Sequence, residues 1–542
     1  MGAIAFSLVT AGVFGKELFN PGGLPQLEGF LQASLHPDTS AEFLPIVWAA
    51  TWVTLAYAVC GTVLSVGLGI LGGILASEIW WDAVLPRQPY RRCFWGAIRS
   101  ALALPRAIHE LIWGLFFINI LGLDPLVGIL AIALPYGAIV AKIFSEILDE
   151  TPREPLDALL NSGVAPLTAF AYTLLPQAFL NLLSYTFYRF ECSIRSAAVL
   201  GIIGAGGLGY EIFLSLQSLR YEQLWTLFYA LILLNGTVDV LSALLRHHLG
   251  SPSRLDFNLK KTQGWRRMVS IRDPWIVLTL VGLAVLIPLC FWSVGADASK
   301  LWSPRTFTLL QAMGEDAFPP TFELSEGRSL LILSWQTVAM SILAIALAGV
   351  GSILFSFPAA RTFFLPGGLF SSGRMAGRRR AGAWLTLIGS RFTLLVCRAI
   401  PAPIWALVIL YVIFPGILPG AIALGIHNLG ILGRLMAEVN ENLDQRPLIA
   451  LQAQGASSPL VLLYGVLPIN FTKFLAYILY RWEVCMRETV IVGLVGAGGL
   501  GRLLTEQLSS FDYSSVVVTL ACFVLLTFAV DWVSQSARRS LR

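Results

Sequence analysis

The chain has 542 residues, 56% of them hydrophobic and only 13% charged, whereas a soluble globular domain is about half apolar and about a quarter charged. That composition excludes an ordinary soluble protein and makes this a membrane protein. The net charge of +5 does not signal nucleic acid, because the basic residues gather in short segments between apolar runs, as orientation signals do.

Residues 3–15 are apolar but too short to span comfortably, and they lack a basic leader or a cleavage site. They read as the tail of a shortened first span, with an interfacial helix as the alternative. Basic clusters at 87–92, 246–272, 374–380 and 538–542 mark cytoplasmic loops, while the mixed or acidic loops 16–43 and 295–328 belong outside. Threading the first half between these points gives a span arriving outside, then spans at 46–78, 99–121, 126–147, 166–188 and 223–245. In the second half, apolar runs at 275–294, 330–357, 399–418, 460–480 and 516–532 have about the 20-residue length a span needs. The plan is six crossings per half. The expected domains are a first repeat at 1–250, a basic cytoplasmic linker at 251–272 and a second repeat at 273–542. The seven cysteines show no Cys-x-x-Cys spacing and most lie in apolar runs, so neither a disulfide frame nor a zinc site is indicated.

The halves are related residue by residue. Arg189-Phe-Glu-Cys-Ser-Ile-Arg195 running into Gly204-Ala-Gly-Gly-Leu-Gly209 returns as Arg481-Trp-Glu-Val-Cys-Met-Arg487 running into Gly496-Ala-Gly-Gly-Leu-Gly501, with ten identities in 21 ungapped residues. This is an internal repeat. The same offset of 292 pairs Arg106 with Arg398, Trp113 with Trp405, Glu146 with Glu438, Gly163 with Gly455, and Leu175-Pro176 with Leu467-Pro468; an offset of 283 pairs Trp52 and Thr54 with Trp335 and Thr337. Both halves end on the cytoplasmic side, so the fold expected is an all-α polytopic membrane protein of two parallel repeats, with a pseudo-twofold axis along the membrane normal. By the span count, residues 192–215 lie between a helix ending outside and one starting outside. That segment is therefore expected to be re-entrant or broken, beside a pathway that satisfies its backbone.

Gly204, Gly206, Gly207 and Gly209, with Gly496, Gly498, Gly499 and Gly501, formally match G-x-G-x-x-G, but no soluble βαβ unit surrounds them and a dinucleotide site is refused. They read as close-packing glycines and as a flexible gate. Glu191 and Arg195, like Glu483 and Arg487, stand at i, i+4, where a helical ion pair is the structural account. Arg189 and Arg481 add a second arginine per glutamate, and the excess positive charge suits an anion with phosphate-like oxygens. Arg106 and Arg398 mark either an interface or the pathway. Glu110, one turn from Arg106, is expected to pair with it, and its counterpart is Ala402. His109 and His427 read as packing or polar-contact residues, and no metal cluster emerges.

On the predicted cytoplasmic side, Asp157-Ala158 six and five residues before Gly163, and Ala450 five before Gly455, each followed by Leu-Pro, resemble the E-A-A, three residues, G loop of ABC-importer permeases. The match is partial, since Asp157 replaces the family's Glu and Ile449 is no acid. The stretch Tyr188-Arg-Phe-Glu191, Arg195-Ser-Ala197, Gly204 to Gly209, with Arg106-Ala-Ile-His-Glu110, is similar to the permease subunits of phosphonate and phosphite importers, once per half and most closely in the first. The resemblance implies a type I ABC importer permease of the bacterial inner membrane with two copies fused. It also implies two ATP-binding cassette ATPase subunits docked through the loops of Asp157, Ala158, Gly163, Ala450 and Gly455, and a periplasmic or lipid-anchored substrate-binding protein. No G-x-x-x-x-G-K-[ST] is present, so no enzyme activity and no cofactor of its own are expected, ATP and Mg being bound by the partner ATPases. An ion-gradient-driven secondary transporter with parallel repeats is the alternative, for which Glu110 is the one good relay acid. A membrane-embedded enzyme lacks any paired nucleophile and base.

Overall fold

The computed structural model describes residues 2–14, 18–85, 90–248, 274–320, 324–365, 368–369 and 377–540. The basic linker expected at 251–272 lies outside them. In chain order the main helices of the first half are α1 (Gly2–Thr10), α2 (Leu44–Ala76), α3 (Arg91–Ala107), α4 (Glu110–Leu121), α5 (Pro125–Glu150), α6 (Glu154–Asn161), α7 (Pro166–Leu200), α8 (Gly207–Gln217) and α9 (Tyr221–His248). Those of the second are α10 (Pro274–Val294), α11 (Leu324–Ala359), α12 (Gly377–Ala399), α13 (Ala402–Ile409), α14 (Ile417–Glu441), α15 (Arg446–Ala453), α16 (Leu467–Val492), α17 (Gly499–Ser509) and α18 (Tyr513–Ser540).

Among the described residues eight helices are long and apolar enough to cross a membrane, and two sharply bent pairs raise the count to ten. Each repeat thus carries four straight spans and one bent pair besides its first helix. The bend corrects the straight crossings expected at 99–121 and 399–418: α3 meets α4 at 85°, and α12 meets α13 at 94°. In the first repeat Ile108 and His109 are extended, and the His109 ring accepts from the Leu111 N–H at 3.2 Å, capping α4. In the second repeat the extended residue is Pro401, whose ring disfavours helical backbone at Ile400. Trp113 Nε1 donates to the Pro105 carbonyl, and Trp405 Nε1 to that of Cys397, so one indole spans each bend.

Compact packing divides the described chain differently from the sequence repeats. One unit joins 37–311, and the other joins 1–36 with 312–542. The reason lies in the first helices. Within the second of these units α1 packs on α11, where Trp335 Nε1 donates to Thr10 Oγ1 at 3.1 Å. Within the first, α10 packs on α2, where Trp52 Nε1 donates to Ser293 Oγ at 3.0 Å and Cys290 is buried among the core residues around Cys60. Thr10 and Ser293 are separated by the same 283 residues as Trp52 and Trp335. So α1 takes the place on α11 that the last turns of α10 take on α2.

Inside the 37–311 unit the central contact is α2 against α5. A Cβ on Gly69 would fall 2.3 Å from Val140, and one on Gly73 2.7 Å from Phe144. These two small residues one helical turn apart let the helices approach closely, which is how helices gain contact where lipid gives no hydrophobic drive. The start of α5 is set by Asp124, whose side chain accepts from the Leu126 N–H at 2.8 Å, followed by Pro125. Lys300 in turn pairs with Asp124, and that hydrogen bond raises the Lys300 pKa.

Candidate functional site

The break expected in this segment is present in both repeats. α7 ends in a π-helical turn at Gly201–Ala205, and α16 in one at Gly493–Ala497; each chain then reverses into a short helix of 11 residues. At 11 residues α8 and α17 are about 16 Å long, too short to cross. The reversal needs left-handed backbone at Gly204, Gly206 and Gly207 (φ 94°, 86°, 74°) and at Gly496, Gly498 and Gly499 (98°, 79°, 72°), which glycine adopts without a Cβ penalty. Gly209 and Gly501 serve a different purpose: a Cβ there would fall 1.8 Å from the Ala198 carbonyl oxygen, or 2.6 Å from Val490 backbone atoms. Thr54 fastens the turn. Its hydroxyl donates to Ala50 O at 2.9 Å and accepts from the Leu208 N–H at 2.8 Å, and Thr337 does the same with Leu333 O and the Leu500 N–H at 2.8 and 2.9 Å.

The charged residues are wired otherwise than their spacing suggests. Neither glutamate forms the i, i+4 ion pair. Glu191 pairs at 3.4 Å with Arg246 of α9, and Glu483 at 2.6 Å with Arg538 of α18. Arg246 and Arg538 are 292 residues apart, so the pair belongs to both repeats; Glu191, Arg246 and Glu483 are buried and Arg538 is half-buried. A glutamate in apolar surroundings needs a fixed cation, and the last helix brings one from 55 residues away. Arg195 turns to Cys192 Sγ at 3.2 Å, and Arg487 to the Glu483 carbonyl at 3.4 Å.

Arg481 is buried and closed by the protein: its Nε donates to Asn428, and its Nη2 donates to Glu488 at 2.6 Å. Arg189 is equally buried, yet among the described residues its Nε and Nη2 have no hydrogen-bond partner, and its guanidinium lies 3.7 Å over the Tyr136 ring. Glu110 does not pair with Arg106 as expected. It accepts from Ser196 at 2.6 Å and from the Tyr136 hydroxyl at 3.4 Å, and lies 3.1 Å from His109 Nε2. His109 therefore serves both as the cap of α4 and as a neighbour of this carboxylate. Arg106 and Arg398 sit half-buried at the two bends, each in the last turn of its helix.

The expected ATPase-coupling loops are the short helices α6 and α15. Leu156 and Leu448 anchor them, while Asp157, Ala158, Gly163, Ala450 and Gly455 are exposed. Gly163 and Gly455 close each helix in left-handed backbone (φ 83° and 88°) with no atom within 4 Å of a Cβ. The following N–H of Val164 reaches Leu159 O and that of Ala456 reaches Leu451 O, an αL termination that glycine favours. Beside α15, the backbone N–H of Arg446 holds the Asp444 carboxyl below its ordinary pKa. Arg99 ties α3 to Ala76 O and Asp149 at 3.0 and 3.3 Å, and Arg391 ties α12 to Ala359 O and Glu441, in the same pattern. These clamps, with Tyr136, Asn428, Ser196, Glu488, Arg246 and Arg538, were not singled out from the sequence. Among the described residues no His, Cys, Asp or Glu group could hold a metal ion.

Comparison with known proteins follows the repeat. The family described as binding-protein-dependent transport system inner membrane component matches residues 69–251 and again 368–542. The phosphate-import permease protein PhnE of Mycolicibacterium smegmatis is 26% identical over 82% of this chain and 77% of its own length. The phosphite transport system permease protein PtxC of Stutzerimonas stutzeri is 32% identical over 47% of this chain and 86% of its own. A chain of the methionine ABC transporter MetNI in an inward-facing conformation aligns over 39% of this chain and 98% of its own, at 18% identity and a TM-score of 0.34.

Proposed function

Since the chain belongs to the binding-protein-dependent transport system inner membrane component family, we propose that it is the fused, double permease of an ATP-driven importer for phosphonate, phosphite or a related phosphorus oxyanion. It is a multi-pass inner-membrane protein with a transport role. The observation that carries the reading is the family match falling once in each repeat, in a chain whose relatives are named as phosphate and phosphite permeases.

The site chemistry supports an anionic cargo. Each repeat holds Arg189 or Arg481, Arg195 or Arg487, and an ion-paired glutamate beside a glycine hairpin. Guanidinium groups present paired N–H donors that match two oxygens of a phosphorus oxyanion. The hairpins reverse on strain-tolerant glycines and are fastened by one threonine hydroxyl each, so they serve as the gate. The exposed helices α6 and α15 are the docking elements for two ATPase subunits, which bind ATP and Mg; the permease itself has no enzymatic activity and no cofactor. Asp157 in one loop and Ile449 at the corresponding place in the other make the two contacts unequal. A substrate-binding protein delivers the anion from outside.

The test is co-purification of the chain with its ATPase subunits and reconstitution in liposomes. ATP hydrolysis and uptake of labelled phosphite or methylphosphonate should rise together when the loaded binding protein is added. Uptake that follows an ion gradient without an ATPase partner would overturn the proposal.

A further inference from the structure

The two repeats hold the same arginine in different company. An offset of 292 carries Arg189 to Arg481, Tyr136 to Asn428, Ser196 to Glu488 and Glu110 to Ala402. In the second repeat two protein oxygens fill the side-on fork of the guanidinium: Asn428 Oδ1 takes Nε, and Glu488 Oε1 takes Nη2. In the first repeat the same two atoms, Nε and Nη2 of Arg189, are buried and unpartnered. Both acceptors have been withdrawn. Ser196 is too short and carries no charge where Glu488 stands, and Tyr136 offers a ring face where Asn428 offers an amide oxygen.

The carboxylate has not vanished from the first repeat. It has moved to Glu110, where it is engaged by Ser196, Tyr136 and His109. Tyr136, Tyr185, Tyr188 and Cys192 lie electrostatically close to Arg189. Arg195 shares three of these, Tyr136, Tyr188 and Cys192, so two guanidiniums face one cluster of neutral side chains. A buried guanidinium with an empty fork is costly and persists where a ligand fills it. The second repeat shows what the ligand must supply: two oxygens side by side, at least one of them anionic.

We infer that the two copies are specialised, Arg189 with Arg195 forming the contact for a phosphorus oxyanion and Arg481 being a structural residue closed by Asn428 and Glu488. This rests on the import reading above and adds to it that the substrate contact is confined to the first repeat. The oxyanion places two oxygens on Nε and Nη2 of Arg189, as Asn428 and Glu488 do on Arg481. Glu110 holds Ser196 and the Tyr136 hydroxyl away from the fork and is a positioning residue.

The experiment uses the complete complex of permease, ATPases and binding protein in proteoliposomes, with phosphite and methylphosphonate as probes. Thermal unfolding of every variant is recorded so that misfolding is seen. R189M should lower uptake at least about 100-fold, the worth of a lost charge-assisted fork, while R189K, which keeps the charge but not the fork, falls between. E110A/Y136N/S196E rebuilds the second-repeat set around Arg189, with Glu110 removed because the other two changes would take away its donors and set a second carboxylate against it. It should unfold no lower than wild type and yet lose uptake about as far as R189M, because the protein now occupies the fork. R481M/E488M removes a pair together and should lower uptake far less than R189M does. Wild-type uptake in E110A/Y136N/S196E, or a loss in R481M/E488M equal to that in R189M at unchanged unfolding temperature, would overturn the inference. A wild-type complex that imports no phosphorus oxyanion overturns the functional reading and this inference with it, and is distinguished because the failure appears before any substitution.

Discussion

Replacing Gly209 with alanine tests whether the glycine hairpin is a packed joint or merely a loose turn. The added Cβ would sit 1.8 Å from the Ala198 carbonyl oxygen and 2.8 Å from its carbon, against a closest real approach of 3.0 Å. Those are backbone atoms of α7, so no side chain can rotate away and α8 must move by more than an ångström. That movement costs about 1–3 kcal/mol as overpacking, and it breaks the 2.8 Å bond from the Leu208 N–H to Thr54, a cap worth about 1 kcal/mol. Gly204→Ala is the contrast, since its Cβ meets nothing nearer than Leu123 at 3.4 Å and the cost is left-handed backbone alone, about 1–2 kcal/mol. Gly501→Ala, with its nearest approach at 2.6 Å, should fall between. The assay is thermal unfolding of the purified complex alongside uptake, and the expected order of loss is Gly209, Gly501, Gly204. A Gly209→Ala protein as stable as wild type, or one less damaged than Gly204→Ala, would refute the packed joint.

Arg246→Met leaves the buried Glu191 without its cation and should destabilise by about 3–5 kcal/mol, with E191M/R246M recovering most of the loss; unfolding temperatures of the single and double variants decide it. Gly163→Val imposes left-handed backbone on a β-branched residue at φ 83° and should cost about 1–2 kcal/mol locally. It should lower uptake per ATP hydrolysed, whereas Gly163→Asn should couple nearly as wild type. Lys300 is held protonated by Asp124, its folded pKa lying above the unfolded one. Its contribution is therefore fully present below the unfolded value and is lost only as pH rises through the raised one. The unfolding-temperature difference between wild type and Lys300→Met should stay flat from about pH 7 to 9 and shrink only above about pH 10.

The repeat and its hairpins were legible because glycine identity survives in both copies and because a count of crossings forbids a straight helix at 201–217. Thr54 and Thr337 were visible as a matched pair, but their role as caps needs a partner 154 or 163 residues away. Arg246 and Arg538 lie in basic clusters whose obvious meaning is orientation; nothing local connects them to Glu191 and Glu483. At Ile108-His109 itself there is no proline, the nearest being Pro105 in the last turn of α3, and the break is made by a histidine ring turned into a cap, which composition does not reveal. The set around Arg189 was hidden for a different reason. A search for repeats finds identities, and Tyr136 and Ser196 matter because they differ from Asn428 and Glu488; of the set, only the difference between Glu110 and Ala402 was visible in the sequence.

That difference depends on the copies being joined. Two identical chains carry every substitution twice, so a serine at position 196 and a glutamate at its equivalent cannot coexist in a homodimer. Within one polypeptide they do, and the charge inventory stays level. Each repeat has four of the arginines considered, Arg106, Arg189, Arg195 and Arg246 or Arg398, Arg481, Arg487 and Arg538, and two glutamates, Glu110 and Glu191 or Glu483 and Glu488. Moving one carboxylate from the Glu488 place to Glu110 therefore adds no net charge to the membrane interior, where unbalanced charge is most costly. It changes only which donor atoms are filled. One fork is closed by protein oxygens and the other is left open, so the first repeat can take up anion contact while the second keeps the paired form.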